Sequence, residues 1–472
     1  MALFFAVLLG IVLRVYKIGE LAVFLADQAS DSTAVFQILQ GKFTLLGPIT
    51  SVGGFYNGPI VYYLMLPFYW LFRGDALSGT IFQAFLSVAT VPVIYLIGKK
   101  IKSDRVGLIA AFLFAVSPLM VDYSRAAFNA YPAIFFSAVI LYLLLRLREK
   151  FSIIMALIVG GLIGCIIQMH YLAISFVLLA GLYPFFVNKK SQNIQYYLSL
   201  GTGIIAGLSP FLLFEVRHQF LNITLFLRYL TSGRAAEKSI MHSLTIWPDV
   251  TTQILFGNVY LLGTVGFLLI FATCIFLFFK KRKEYSWLSL FFLLFLIIEI
   301  ISLVYGRKLQ THYVISFHVP LISMSAIALN HWLKNKYLLL IGLIAILILN
   351  ATSWNTHLDR HPVQDGLNIA DFKYAAALIK ENKNGDYNVA MDAEGDNRAM
   401  PLRYMLKIMN EHPMTYEDYG GVDTLYFIGE KNKPLSKMNM WEYASFGPST
   451  VSQKWAINNQ YYLYKLTKNE KK

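Results

Sequence analysis

The sequence predicts a mainly α-helical protein, a polytopic membrane bundle of about 11 spans followed by a small C-terminal α/β domain. Three observations carry that expectation. Hydrophobic residues make up 57% of the 472 residues and charged ones 14%, with a mean hydropathy of +0.54, whereas soluble proteins carry about a quarter charged residues. Apolar runs of about 18 residues recur along the first three quarters of the chain, and such runs read as membrane spans. The formal net charge of +14 belongs entirely to that part: residues 1–354 hold 26 Lys/Arg and 12 Asp/Glu, and residues 355–472 hold 15 of each. This division excludes the nucleic-acid reading that a basic total invites. Only Cys165 and Cys274 are present, both in apolar segments, so a disulfide-framed secreted domain is excluded too.

Candidate spans fall near residues 1–18, 77–98, 106–121, 131–148, 151–169, 170–187, 196–214, 253–280, 285–305, 311–333 and 336–353. The first is not a cleaved signal peptide, because Arg14 lies near the end of its run and no small-residue cleavage site follows. Five junctions are basic, around Lys99 to Arg105, Arg146 to Lys150, Lys189-Lys190, Lys280 to Lys283 and Lys334 to Lys336. Together they carry 15 Lys/Arg against the three acids Asp104, Glu149 and Glu284. With these spans all five fall on one side, which the positive-inside rule makes cytoplasmic. The loops near 20–76, 122–130, 215–252 and 306–310 then face outward, as does the tail.

Residues 59–72 (PIVYYLMLPFYWLF) strain this parity. Counting them as a span would put the basic junctions outside, and Pro67 interrupts the run. They are read as an aromatic-rich helix lying at the outer interface or re-entering the outer leaflet, a short kinked span being the alternative. The chain thus divides into a transmembrane domain, 1–354, with outer loops 19–76 and 215–252, and an extracytoplasmic soluble α/β domain, 355–472. A prokaryotic cell membrane is the expected location. No internal repeat is visible, which weakens an inverted-repeat transporter reading.

The unusual residues sit in the first outer loop. Asp27 and Asp31 are four apart and share one face if helical. A carboxylate at the membrane boundary, partly withdrawn from water, suits a general base; a helix N-cap is the other reading of Asp27. Residues 47–59 are rich in Gly and Pro and read as bent backbone, with Tyr56 and Asn57 offering polar tips for sugar hydroxyls. A plain connecting loop fits equally.

From here the sequence resembles the GT-C superfamily of membrane glycosyltransferases, in particular the branch of protein O-mannosyltransferases and aminoarabinose transferases (glycosyltransferase family 39-like). The resemblance rests on Ala26-Asp27-Gln28-Ala29 after the first span and a Gly-Pro-hydrophobic-Tyr-Tyr run from Gly58 to Tyr63. It continues through Ser117-Pro118 with Tyr123-Ser124-Arg125, Ser209-Pro210 before the run from Phe214 to Phe220, and His312-Tyr313 before Pro320. It covers roughly residues 1–355. It implies a polyprenyl-phosphate sugar donor and Asp27 as the base that activates an acceptor on a protein, lipid or glycan; a nucleotide sugar is disfavoured because the expected topology offers no soluble cytoplasmic domain to bind one. Two departures stand out: Gln28 where relatives often carry a second acid, and no acid between Arg125 and Pro132. Divalent cations want several carboxylates, and only Asp27, Asp31 and Asp122 are near, so a metal-independent site without cofactor is favoured over a divalent metal, with Asp122 the residue most able to overturn this.

A lipid-linked phosphate needs cations at the outer interface. Arg125, Arg217, His218, Arg307 and His312 are the candidates for the donor phosphate; snorkelling to lipid headgroups is the alternative for each. Asp31, Tyr56, Asn57, Tyr123 and Tyr313 are the substrate-binding candidates. His170, at the outer end of its span, could line the same cavity. Glu299, the lone acid within a span, is read as a structural pair or as the seed of the rival function, a transporter or flippase of a lipid-linked or anionic solute. A catalytically inactive binding protein is a third reading, suggested by Gln28. In the tail, helical periodicity over 371–381 and 401–409 alternates with strand patterns at 387–391, 424–428 and 455–466. The acids around Asp392 and Asp396 match no metal-loop spacing and are read as a solvated turn.

Overall fold

Backbone polar groups in hydrocarbon must be satisfied within their own segment, and every apolar run folds as helix. A computed structural model describes the chain except residues 51–52, 188–193, 232–243, 306–308, 355–365, 394 and 470–472. After α1 (Ala2–Val15) and a single turn, α2 (Ile18–Leu21), the first loop holds α3 (Ala26–Leu39) and α4 (Ile60–Leu71). The bundle continues through α5 (Ser78–Ile101), α6 (Asp104–Val116), α7 (Pro118–Tyr123), α8 (Ala133–Glu149), α9 (Ile153–Met169), α10 (Ser175–Val187) and α11 (Ile194–Arg217). The second loop adds α12 (Leu221–Thr231) and α13 (Ile246–Leu255); α14 (Tyr260–Lys280), α15 (Leu288–Tyr305), α16 (His318–Trp332) and α17 (Lys336–Ala351) complete the bundle. Short 3-10 turns, Tyr171–Ile174 and Thr311–Phe317, lead into α10 and α16. Four described segments are long and apolar enough to cross a membrane by length and composition alone: Ser78–Ile101, Ile194–Arg217, Tyr260–Lys280 and Thr311–Trp332.

Two features order the bundle. The α9 and α11 helices cross at glycines: a β-carbon on Gly160 would lie 2.1 Å from the Leu200 carbonyl oxygen, and one on Gly203 would lie 2.2 Å from that of Leu157. Small residues at this spacing let two backbones touch, which is how helices associate where no hydrophobic drive exists. At one end of the bundle the basic junctions meet. Lys100 pairs with Glu149, Lys102 with Glu284, and Lys99 with Asp104 at 3.0 Å. Arg105 donates to the carbonyls of Leu333 (2.6 Å) and Lys334 (3.0 Å). Four of the five basic junctions therefore share one end; Lys189-Lys190 lies outside the described residues. The first loop lies at the other, since α5 runs from that loop to the basic end.

The tail forms α18 (Ile369–Asn382), β1 (Tyr387–Met391), α19 (Met400–Ile408), β2 (Thr424–Glu430), α20 (Trp441–Phe446), β3 (Ser449–Ala456) and β4 (Tyr461–Lys468). Its sheet runs β1-β2-β4-β3, with β1 and β2 parallel and the other pairs antiparallel. Alternate residues face opposite ways. Val389, Tyr426 and Leu463 join the core with α18 and α19, while Leu425, Phe427 and Leu466 pack with Phe446 on the other face. That first core does not stop at the tail. It includes Phe24, Val35 and Ile38 of the first loop and Val61, Tyr62, Met65 and Tyr69 of α4. Tyr404 packs against the rings of Phe24 and Phe36 (centroids 5.6 and 6.5 Å) and donates to the Gly74 carbonyl at 2.6 Å. Lys373 pairs with Asp75 at 2.6 Å. With 12 residues, α4 extends about 18 Å at 1.5 Å per residue, short of about 30 Å of hydrocarbon. It packs against the tail core and exposes Trp70 and Leu71.

Candidate active site

The segment after α1 is fixed before it reaches Asp27. Val23 N–H donates to the Arg125 carbonyl at 2.9 Å, and the Gln28 side chain turns back to accept from Leu25 N–H at 3.0 Å. Gln28 thus closes the start of α3, the work that the N-cap alternative assigned to Asp27. Asp27 stands exposed in the first turn, where the helix dipole favours negative charge. Asp31, one turn on, is only 6% exposed.

Residues 47–50 pair with residues 55–58 as the two arms of a small hairpin. Gly47 N–H donates to Asn57 O at 2.9 Å, Asn57 N–H to Pro48 O at 2.8 Å, and Ile49 bridges Tyr56. A β-carbon on Gly47 would meet the Gly58 carbonyl at 2.0 Å, so that glycine serves the close return of the strand. The hairpin is tied to the second loop and to the outer turn after α9. Tyr56 N–H donates to Asn222 Oδ1 at 2.9 Å, and Tyr171 O–H donates to Tyr56 O at 2.5 Å.

These elements enclose a cavity of about 460 Å³. Its wall takes Asp27, Ser30 and Asp31 from α3, Tyr56 and Asn57 from the hairpin, and Tyr62 from α4. Asn129, His170, Tyr305, His312 and Tyr313 face them, with an aromatic wall of Phe55, Tyr171, Phe226 and Tyr229. Phe55 meets Tyr171 and Phe226 edge-on (5.3 and 5.5 Å), and Tyr171 stacks on Phe226 at 5.2 Å. The imidazoles of His170 and His312 lie 6.0 Å apart, and His170 lies 5.3 Å from the Tyr313 ring. Leu172 N–H donates to His170 Nδ1 at 3.4 Å, which leaves the proton of a neutral His170 on Nε2. Tyr62 O–H donates to Asp31 Oδ1 at 2.8 Å. Burial raises the Asp31 carboxyl to about 8; the Tyr62 bond opposes the rise and the Asp27 charge adds to it.

Of the sequence candidates, Asp27, Asp31, Tyr56, Asn57, His312 and Tyr313 come together around this cavity, and His170 joins them. Four others stand elsewhere. Arg125 is 2% exposed and does not line the cavity; its guanidinium donates to the carbonyls of Leu13 (3.0 Å) and Trp354, joining the ends of α1 and α17. Arg217 is exposed at the end of α11, and His218, also exposed, lies on the Phe214 ring at 4.0 Å. Glu215, two and three residues before them, accepts from Ile223 N–H at 3.1 Å and sets the start of α12. Tyr123 is buried, stacked on Tyr131 at 3.9 Å and bonded to Thr311 Oγ1 at 2.8 Å, away from the cavity. Arg307 lies outside the described residues. Asp122 is 7% exposed and outside the cavity wall. Glu299 accepts from Trp247 Nε1–H at 2.5 Å, a structural pair rather than a step in a polar path. Sequence reasoning missed Ser30, Thr50, Asn129, Tyr171, Phe226 and Tyr229. The aromatic run of the second loop was the signal for the last two, and Asn129, whose side chain donates to Met169 O at 2.7 Å, sits where an acid was sought.

Residues 56–214 match the profile of the family described as dolichyl-phosphate-mannose-protein mannosyltransferase. No curated protein matches the chain by sequence. Among solved structures, ArnT from Cupriavidus metallidurans bound to undecaprenyl phosphate is similar with a TM-score of 0.65 and 10% identity, over 98% of this chain and 97% of that one. The Archaeoglobus fulgidus oligosaccharyltransferase in complex with Zn and sulfate gives a TM-score of 0.57 and 14% identity, over 91% of this chain and 68% of that one. The archaeal oligosaccharyltransferase AglB from Archaeoglobus fulgidus, in complex with an inhibitory peptide and a dolichol-phosphate, gives 0.53 and 13%, over 91% and 69%. The chain shares the fold of these structures.

Proposed function

We propose that this chain is an integral-membrane glycosyltransferase that moves a sugar from a polyprenyl-phosphate donor to a hydroxyl or phosphate of a protein, lipid or glycan acceptor, by one inverting displacement. The observation that carries the reading is the placement of Asp27, exposed at the start of α3, in one cavity with His170 and His312. Asp27 takes the acceptor proton as the acceptor oxygen bonds to the anomeric carbon. The bond from that carbon to the phosphate oxygen breaks, and the lipid phosphate leaves with its electron pair. His312 and His170 hydrogen-bond the phosphate as charge develops on it, with Arg307, five residues before His312, as the companion cation. Tyr56, Asn57 and Tyr313 meet the sugar. Support for the donor class comes from the undecaprenyl phosphate of the similar ArnT structure and the dolichol-phosphate of AglB.

The reaction is proposed as metal-independent; among the described residues no three His, Cys, Asp or Glu converge to hold an ion. Chelation with EDTA should leave turnover within twofold of the untreated enzyme. The basic end is proposed to face the cytoplasm of a prokaryotic cell, with the cavity and tail on the extracytoplasmic side. A transporter would need polar groups leading from the cavity to the basic end, and Glu299 is already held by Trp247. The test is Asp27→Asn in proteoliposomes with a radiolabelled polyprenyl-phosphate sugar. Turnover should fall at least about 100-fold, as expected for loss of a general base, while donor binding persists. Near-normal turnover would remove Asp27 from the role.

A further inference from the structure

The two carboxyls of α3 have different surroundings although they share one face. Asp27 is exposed to the cavity in the first turn of the helix, and Asp31 is buried beneath it. The groups that act on Asp31 are Asp27 from its own helix and Tyr62 and Tyr69 from α4; Tyr56 of the hairpin acts on Tyr62, and His170 and His312 line the same cavity. None of the described residues lining the cavity is Lys or Arg. A second full negative charge on Asp31 would sit in a desolvated position with no Lys or Arg against it among the described residues, and would repel both Asp27 and an incoming phosphate.

We propose that Asp31 is a positioning acid that keeps its proton during turnover, so that the α3 pair carries one negative charge, on Asp27, and presents one carboxyl O–H to the cavity. This rests on the reading of Asp27 as the base. Asp31 accepts from Tyr62 through Oδ1, which leaves the proton to Oδ2. From there it can donate to a sugar hydroxyl or to the Asp27 carboxylate, fixing the base for attack without competing for the acceptor proton. The rise of the Asp31 carboxyl to about 8 by burial agrees with this geometry. The sign follows directly: below about 8 Asp31 is neutral and the pair singly charged, and above it the second charge appears. Activity should therefore decline with rising pH on a limb that belongs to Asp31.

The experiment compares the full-length wild-type enzyme, Asp31→Asn and Asp27→Asn in proteoliposomes between pH 6 and 9.5, with donor binding measured in parallel. Asn keeps the acceptor for Tyr62 and an N–H donor but cannot ionise. Wild-type kcat should fall tenfold per pH unit above about 8. Asp31→Asn should lower kcat less than tenfold at pH 7 and remove that fall, while Asp27→Asn is inactive throughout. Loss of more than 100-fold for Asp31→Asn with donor binding intact would overturn the proposal, since the ionised form would then do the chemistry. An alkaline limb surviving unchanged in Asp31→Asn would overturn it as well. If that variant does not fold, Tyr62→Phe decides. The Tyr62 bond lowers the Asp31 value, so its loss should move the limb to higher pH, and an unmoved limb contradicts the proposal. Activity in Asp27→Asn would instead sink the base assignment.

Discussion

Asp27 and Asp31 show how far a residue's chemistry depends on what folds around it. Their spacing of four already places them on one face, but Asp31 is buried beside Tyr62 of α4, 31 positions on in the chain. Arg125 teaches the converse. An arginine at the outer end of a span reads the same in sequence whether it faces a phosphate or a carbonyl, and here it meets two carbonyls. Replacing it with Lys, which cannot present the planar fork, should destabilise the joint of α1 and α17 by about 1–3 kcal/mol without changing the KM for donor. Thermal unfolding in detergent together with donor titration checks both. A large rise in KM at unchanged stability would return Arg125 to the donor site. His170 was legible only as a possible lining residue, because its facing partner His312 lies more than 140 positions on.

Among the elements, the helices were legible and their contacts less so. Hydropathy located α5, α11 and α14, and the count of basic junctions put all five on one side; in the structure four of them share one end, three joined by ion pairs and the fourth by the Arg105 bonds to the Leu333 and Lys334 carbonyls. Residues 59–72, the strained point of the parity count, fold into α4, which is 12 residues long and joins the tail core. The hairpin at 47–58 was seen only as bent backbone, since its pairing depends on ties to Asn222 and Tyr171. The α9–α11 crossing offers a clean test at matched chemistry. Gly203→Ala forces a β-carbon against the Leu157 carbonyl at 2.2 Å, whereas Gly161→Ala meets nothing nearer than 3.8 Å. The first should cost about 1–3 kcal/mol by overpacking and the second close to nothing, read as unfolding midpoints in detergent. Equal midpoints would mean the helices do not cross at these glycines.

At the scale of the whole molecule, the tail proves continuous with the site it follows in sequence. Its strand and helix order was readable from periodicity, but its role was not, because the apolar face of α19 gives no hint of what it meets. In the structure that face meets α3, the helix that carries both carboxyls, through Tyr404 against Phe24 and Phe36. Tyr404→Ala, which leaves a cavity costing about 3–5 kcal/mol, should therefore lower kcat although Tyr404 lies outside the cavity wall. Measured turnover with proteolysis of the tail as the second readout checks this; a fully active enzyme with a loosened tail would separate the two units. Sugar transfer in the cavity between α3 and His312 is tested most directly by a crystal or cryo-EM structure with a non-hydrolysable polyprenyl-phosphonate sugar bound. The phosphonate should lie beside His170 and His312, with the anomeric carbon turned toward Asp27. A sugar bound outside this cavity, or with the phosphonate against Asp27, would contradict it.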